Sequence, residues 1–217
     1  MLPGQDRLLR DRRPGESGGQ HRGQGGLCGH GVENLVETDG LRLRRAVKED
    51  VERLWEICRG QTAEEFCLWG ADLVYEYPPR LEQMRRRFEA LSGDVVLFAA
   101  ECGGQVVGFA EIGEMDPARR SGVLARVLLE KGQRGKGRGK ELVNLVLDQA
   151  VEALGLEEVR LIVYGGNLRA QRCYETCGFV RGEALLRPGR ADAWWMRADL
   201  RGRRGDGQPI HPSRNDG

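Results

Sequence analysis

The sequence predicts a mixed α/β domain, a mostly antiparallel sheet with helices on both faces in the order β-α-α-β-β-β-α-β-α-β-β. Two observations carry this. Two apolar runs flank Gly103-Gly104, a two-residue hairpin signal that makes consecutive strands antiparallel. Further on, apolar runs alternate with segments whose apolar residues recur every three or four positions, which marks strand–helix–strand crossovers. A length of 217 residues suits one such domain with tails.

Taken in order, residues 1–31 are rich in Gly, Arg and Gln and nearly free of branched apolar side chains. Such a segment buries too little surface to offset its chain entropy, so 1–40 is expected to be a disordered extension. Residues 41–45 alternate and read as the first strand. Residues 48–59 read as a helix with Val51, Leu54, Trp55, Ile57 and Cys58 on one side. A mixed stretch at 60–79 holds Phe66, Trp69, Tyr75 and Tyr77, and a second helix follows at 80–91 with Leu81, Met84, Phe88 and Leu91 at helical spacing. The hairpin spans 95–102 and 105–114, and 123–129 is the central strand. A helix after it carries Leu142, Val143, Val146, Leu147, Ala150, Val151 and Leu154. Residues 159–164 read as a strand, 167–179 as a short helix ended by Gly178, 179–186 as a strand, 187–190 as a turn and 191–200 as the closing strand. The domain is thus expected over 41–200, with a disordered tail at 201–217.

Between the central strand and the long helix lies Gln133-Arg134-Gly135-Lys136-Gly137-Arg138-Gly139-Lys140. Glycines let backbone N–H groups approach a ligand, and a helix start offers unpaired donors and partial positive charge. Together these make an anion cradle suited to a diphosphate. Neither the G-x-G-x-x-G dinucleotide fingerprint nor the G-x-x-x-x-G-K-[ST] nucleotide loop fits. R/Q-x-x-G-x-G/A does fit, as Arg134, Gly137 and Gly139. One helix later stand Leu161, Val163, Asn167, Ala170, Tyr174, Glu175, Gly178 and Phe179 in the pattern L-x-V-x-x-x-N-x-x-A-x-x-x-Y-E-x-x-G-F. The two motifs together resemble the GNAT superfamily of acetyl-CoA-dependent N-acetyltransferases, over most of 41–200.

The resemblance implies transfer of an acetyl group from acetyl-CoA to the primary amine of a small molecule or a peptide, with no metal. It implies backbone contacts to the pantetheine arm near Leu128, Leu129 and Glu130, and a diphosphate wrapped by Arg134, Gly135, Lys136, Gly137, Arg138, Gly139 and Lys140. Asn167 falls where the family binds the cofactor's amide arm, although helix N-capping explains an Asn equally well. Tyr174 falls where the family places its general acid, since a phenol titrating near 10 stays protonated at neutral pH. The alternative for Tyr174 is packing under the sheet. The base does not carry over: Ile162 stands where alanine acetyltransferases of ribosomal proteins have Glu, and Val123 where polyamine acetyltransferases have it. Glu111 and Glu114 on the preceding strand remain candidates, as does a water chain. Without a clear base, a non-catalytic acetyl-CoA sensor of the same fold stays open beside the enzyme. Aromatic and acidic residues in 64–84 would suit a cationic amine.

Charge and cysteines exclude other classes. The net charge of +1 divides into basic ends and a middle carrying a small net negative charge, so the folded part lacks the basic face of a nucleic-acid binder. There is no apolar run long enough to span a membrane. The six cysteines show no C-x-x-C pair, so free thiols in a cytoplasmic protein are expected. A homodimer is compatible with all of this.

Overall fold

The computed structural model describes residues 40–185 and 192–203. The expected extension and tail lie outside the described residues, apart from Gly40 and Arg201 to Arg203, and so does the turn expected at 187–190. Among the described residues there are seven strands, β1 (Arg42–Arg45), β2 (Val96–Cys102), β3 (Gln105–Asp116), β4 (Ser121–Leu129), β5 (Glu158–Tyr164), β6 (Val180–Leu185) and β7 (Ala193–Asp199). The α-helices are α1 (Val51–Arg59), α2 (Ala63–Leu68), α3 (Leu81–Glu89), α4 (Arg138–Glu152) and α5 (Leu168–Thr176). The strands form one sheet in the order β1-β2-β3-β4-β5-β7-β6, antiparallel throughout except between β4 and β5. The expected order of elements holds, with α2 added inside the stretch read as mixed.

Local chemistry explains the elements. Gly103 and Gly104 take φ of +56° and +74°, the left-handed pair a tight hairpin turn requires. Residues 48–50 form a 3-10 turn before α1, where the Asp50 carboxylate accepts the Val47 N–H at 2.8 Å. Arg44 grips the same carboxylate with both terminal nitrogens at 2.6 and 2.8 Å, and this pairing lowers the Asp50 pKa. α2 opens with a reciprocal cap: Glu65 N–H donates to the Thr62 hydroxyl, and Thr62 N–H donates to the Glu65 carboxylate.

The sheet separates two cores. Leu142, Val143, Val146, Leu147 and Ala150 of α4 pack against Phe98, Ala110, Ile112, Leu124, Val159, Leu161 and Met196. On the other face Val51, Leu54, Ile57 and Cys58 of α1 and Met84 of α3 cover Ala99, Val106, Phe109 and Leu128. β3 is buried from Val106 to Gly113, as expected of a strand covered on both faces.

Close approach of β3 and β4 gives a test of this packing. A Cβ at Gly108 would meet the Leu128 carbonyl oxygen and Leu129 Cδ2, both at 2.6 Å. Gly108→Ala is therefore expected to destabilise the domain by about 1–3 kcal/mol, read as a lowered melting temperature. Gly93→Ala, with nothing within 4 Å of the added carbon, should melt like the parent chain.

Candidate active site

β4 and β5 pair over only three registers, from Ser121↔Glu158 to Val123↔Arg160. Beyond that point β4 runs on to Leu129 and β5 to Tyr164 without pairing each other. β4 carries a bulge here. Two steps along β3, from Phe109 to Glu111, face three along β4, from Leu128 to Ala125, and Arg126 sits at φ +52°. A bulge bends its strand and increases its twist. The edge of β4 facing β5 therefore presents backbone groups that need water or a ligand as partners.

At the open end of this splay the chain enters a 3-10 turn, Lys131–Gln133, and then the glycine-rich loop. Gly137 is the N-cap of α4 at φ +78°, and a Cβ there would meet nothing within 4 Å. Space above the loop, exposed Lys136 and Lys140, and the positive end of a 15-residue helix fit a diphosphate.

The Arg134 side chain is bonded within the protein. Its Nε donates to the Leu129 carbonyl at 2.8 Å, and its terminal nitrogens donate to Glu65 at 3.2 Å and Gln61 at 2.5 Å. Lys131 pairs with the other oxygen of Glu65 at 2.9 Å. The Arg134 guanidinium thus latches α2 to the loop. Leu128 and Leu129 bury their side chains in opposite cores, so what they offer a ligand is main chain. The Glu130 side chain pairs with Arg53 at 2.9 Å.

Asn167 caps α5, its Oδ1 accepting the Ala170 N–H at 3.2 Å, while its Nδ2 donates to the Leu68 carbonyl, also at 3.2 Å. α2 therefore touches both lips of the splay, the glycine-rich loop through Glu65 and α5 through Leu68. Tyr174 lies half-buried on α5 with its ring edge-on to Phe179 at 5.7 Å. Burial pushes its phenol pKa up, and neighbouring Cys173 and Cys177 add to this. Its hydroxyl has no hydrogen-bond partner among the described residues. α5 and the start of α4 are in contact, since a Cβ on Gly139 would sit 3.4 Å from Cys173 Sγ.

Glu111 is fully engaged. One carboxylate oxygen accepts from Arg87 of α3 at 2.6 Å and the other from Arg126 of the bulge at 3.0 Å, with the Glu111 side chain only 3% exposed. A carboxylate held by two guanidiniums is poorly placed to take a proton from an amine. Burial works against the Arg87 charge, but Glu111 and Tyr75 outweigh it and the Arg87 pKa is raised.

The sequence reading missed α2, Gln61, Arg87 and Arg126. For α2 the signal was present, because Thr62-Ala63-Glu64-Glu65 is a T-x-x-E capping box. The two arginines gave none, since only folding brings them to Glu111.

Glu65 generates a pH test. Its carboxyl is held down from about 4.5 to about 2, by the Thr62 N–H first, then by Lys131 and Arg134. A depressed carboxylate contributes stability that is present above its unfolded pKa and lost as pH falls through its folded pKa. The melting-temperature gap between the parent chain and Glu65→Gln should be full at pH 6 and close between about pH 4.5 and 2, the interval spanned by those two values. A gap that stays constant over that range would show that the latch does not depend on the Glu65 charge.

Comparison with known proteins agrees with this architecture. The profile of the family described as "Acetyltransferase (GNAT) family" matches residues 53–179. An aminoglycoside N(6')-acetyltransferase type 1 of Klebsiella pneumoniae is 26% identical over 166 residues, covering 70% of this chain and 79% of the relative. The L-methionine sulfoximine/L-methionine sulfone acetyltransferase of Pseudomonas aeruginosa is 28% identical over 158 residues, covering 71% and 88%. The fold is shared with spermidine N-acetyltransferase from Vibrio cholerae in complex with CoA and spermine, at TM-score 0.63 and 22% identity over 73% of this chain and 95% of that one. AAC(6')-Ib in complex with ribostamycin and coenzyme A gives TM-score 0.65 and 22% identity over 79% and 100%. With the two motifs, the splayed strands and a family match over more than half its length, the chain belongs to the GNAT family and is an acetyl-CoA-dependent N-acetyltransferase.

Proposed function

We propose that this chain acetylates the primary amine of a small molecule, using the β4–β5 splay and the α4 N-terminus as its acetyl-CoA site. The observation that carries the reading is the splay itself, open at the end where the glycine-rich loop begins. Backbone groups along 124–130 align the pantetheine arm as an added strand would, and the N–H groups at the start of α4, with Lys136 and Lys140, hold the diphosphate. The thioester supplies the activated acetyl group. A small-molecule acceptor is favoured because the relatives are named for aminoglycosides, amino-acid sulfoximines and spermidine.

Tyr174 is the proton donor of this reading. Its raised pKa keeps the phenol protonated throughout the neutral range, so the proton is in place whenever the thiolate departs. Glu111 is bound on both oxygens, so the ammonium proton of the acceptor leaves to solvent. Among the described residues no helix is long and apolar enough to cross a membrane. We assign the protein to the cytoplasm.

Two substitutions test these roles. Gly137→Asp puts a carboxylate and a side chain where the diphosphate approaches, so acetyl-CoA affinity by calorimetry should fall by at least about fivefold, one repulsive contact being worth about 1 kcal/mol or more. Unchanged affinity would remove the loop from the site. Tyr174→Phe keeps the ring and its contact with Phe179. Turnover should drop roughly ten- to ten-thousand-fold in the chemical step with acetyl-CoA affinity retained. Parental turnover with the best acceptor would show that water protonates the thiolate.

A further inference from the structure

The half-buried charge on the α1–α3 face of the splay is the opposite of what the acids of 64–84 suggest. Those acids are taken or turned outward. Glu65 is bound by Lys131 and Arg134, Glu76 pairs with Arg80 at 2.6 Å with both side chains exposed, and Glu64 faces solvent. Inside, Arg87 and Arg126 are only 18% and 21% exposed, and they share the single carboxylate of Glu111. Neither has another acid paired with it among the described residues. Two guanidiniums on one carboxylate leave a net positive charge under partial cover, which costs free energy until a second anion arrives.

Hydrogen-bond accounting points the same way. Arg126 spends only its Nε on Glu111. Its two terminal nitrogens have no acceptor among the described residues, yet they are not sealed from solvent. The indole N–H of Trp69 is buried with no acceptor, and its ring is edge-on to Phe109, two residues before Glu111 on the same face of β3. Unused donors therefore gather on this face. Arg126 leaves β4 three residues beyond the last β4–β5 pair, within the open part of the splay.

We propose that the acceptor carries a carboxylate as well as its amine, as an amino acid does, and that Arg126, backed by Arg87, receives that carboxylate. The inference rests on the acetyltransferase reading of the same site. A guanidinium with both terminal nitrogens available matches a carboxylate in a two-point geometry that an ammonium or hydroxyl cannot use. In an α-amino acid the amine and the carboxylate leave the same carbon, so anchoring one orients the other toward the thioester. Glu111 is then a positioning residue. It holds Arg126 against the bulge and lowers the repulsion between the two cations.

The test uses the full chain with acetyl-CoA and a panel of L-amino acids, each paired with its own carboxamide, with spermidine and ribostamycin as amines lacking a carboxylate. The amide's amine is the easier one to deprotonate, so a preference for the acid has to come from the site. The best amino acid should exceed its carboxamide at least tenfold in kcat/KM. Arg126→Gln should bring that ratio close to one, chiefly by raising KM for the amino acid. The parental comparison stands even if the variant folds poorly. Equal or better use of the carboxamide, or transfer only to spermidine or ribostamycin, overturns the carboxylate site and leaves acetyl transfer intact. Acetyl-CoA binding by calorimetry without transfer to any amino acid also overturns it. Failure to bind acetyl-CoA at all would instead overturn the underlying reading.

Discussion

Three parallel residue pairs, Ser121 to Val123 against Glu158 to Arg160, hold the two halves of the sheet together. If β4 and β5 stayed paired to their ends, the sheet would be continuous and its centre would hold no ligand. They part because the bulge at Arg126 bends β4, while β5 keeps a full antiparallel ladder with β7 from Glu158↔Asp199 to Tyr164↔Ala193. Parallel strands also require a crossover, and here the crossover is α4. Its N-terminus must begin where β4 ends, so one topological rule places that helix end, with its unpaired N–H donors, at the mouth of the gap.

α2 ties the two sides of that mouth. Only six residues long, it holds the glycine-rich loop through Glu65 and the start of α5 through the Leu68 carbonyl, while Phe66 packs edge-on against Trp69 and Tyr77. These ties are mostly single polar bonds near the surface, where each contributes modestly. The strands beneath rest on two apolar cores. The scaffold is thus set by burial, and the entrance by hydrogen bonds and ion pairs that solvent can reach.

Glu111 illustrates how environment assigns a role. On the sequence it is a carboxylate beside the central strand and a candidate base. In the fold it is the buried, shared anion of two half-buried arginines. Removing one member of such a group leaves an uncompensated charge, and for that reason these groups are structurally demanding. The same arrangement gathers two cations and one anion on the α1–α3 face of the sheet.

How much was legible in the sequence depended on how local the cause was. Hairpin glycines, the period of α4, the loop Arg134 to Lys140 and the Asn167 cap are set by residues within a few positions of one another. The strand and helix order, the family and the acetyl-CoA chemistry could therefore be read before any coordinates. The boundaries of β3 and β4 each differed by two residues at one end, since hydrogen bonding rather than hydrophobicity fixes where an element stops. What only the tertiary structure decided joins residues far apart in the chain: Arg134 to Glu65 and Gln61, Asn167 to Leu68, and Glu111 to Arg87 and Arg126. Sequence gives each of these side chains its charge and donors. Where the charge is spent depends on which partner the sheet brings within 3 Å or so, and that geometry exists only once β3, β4 and α3 have packed.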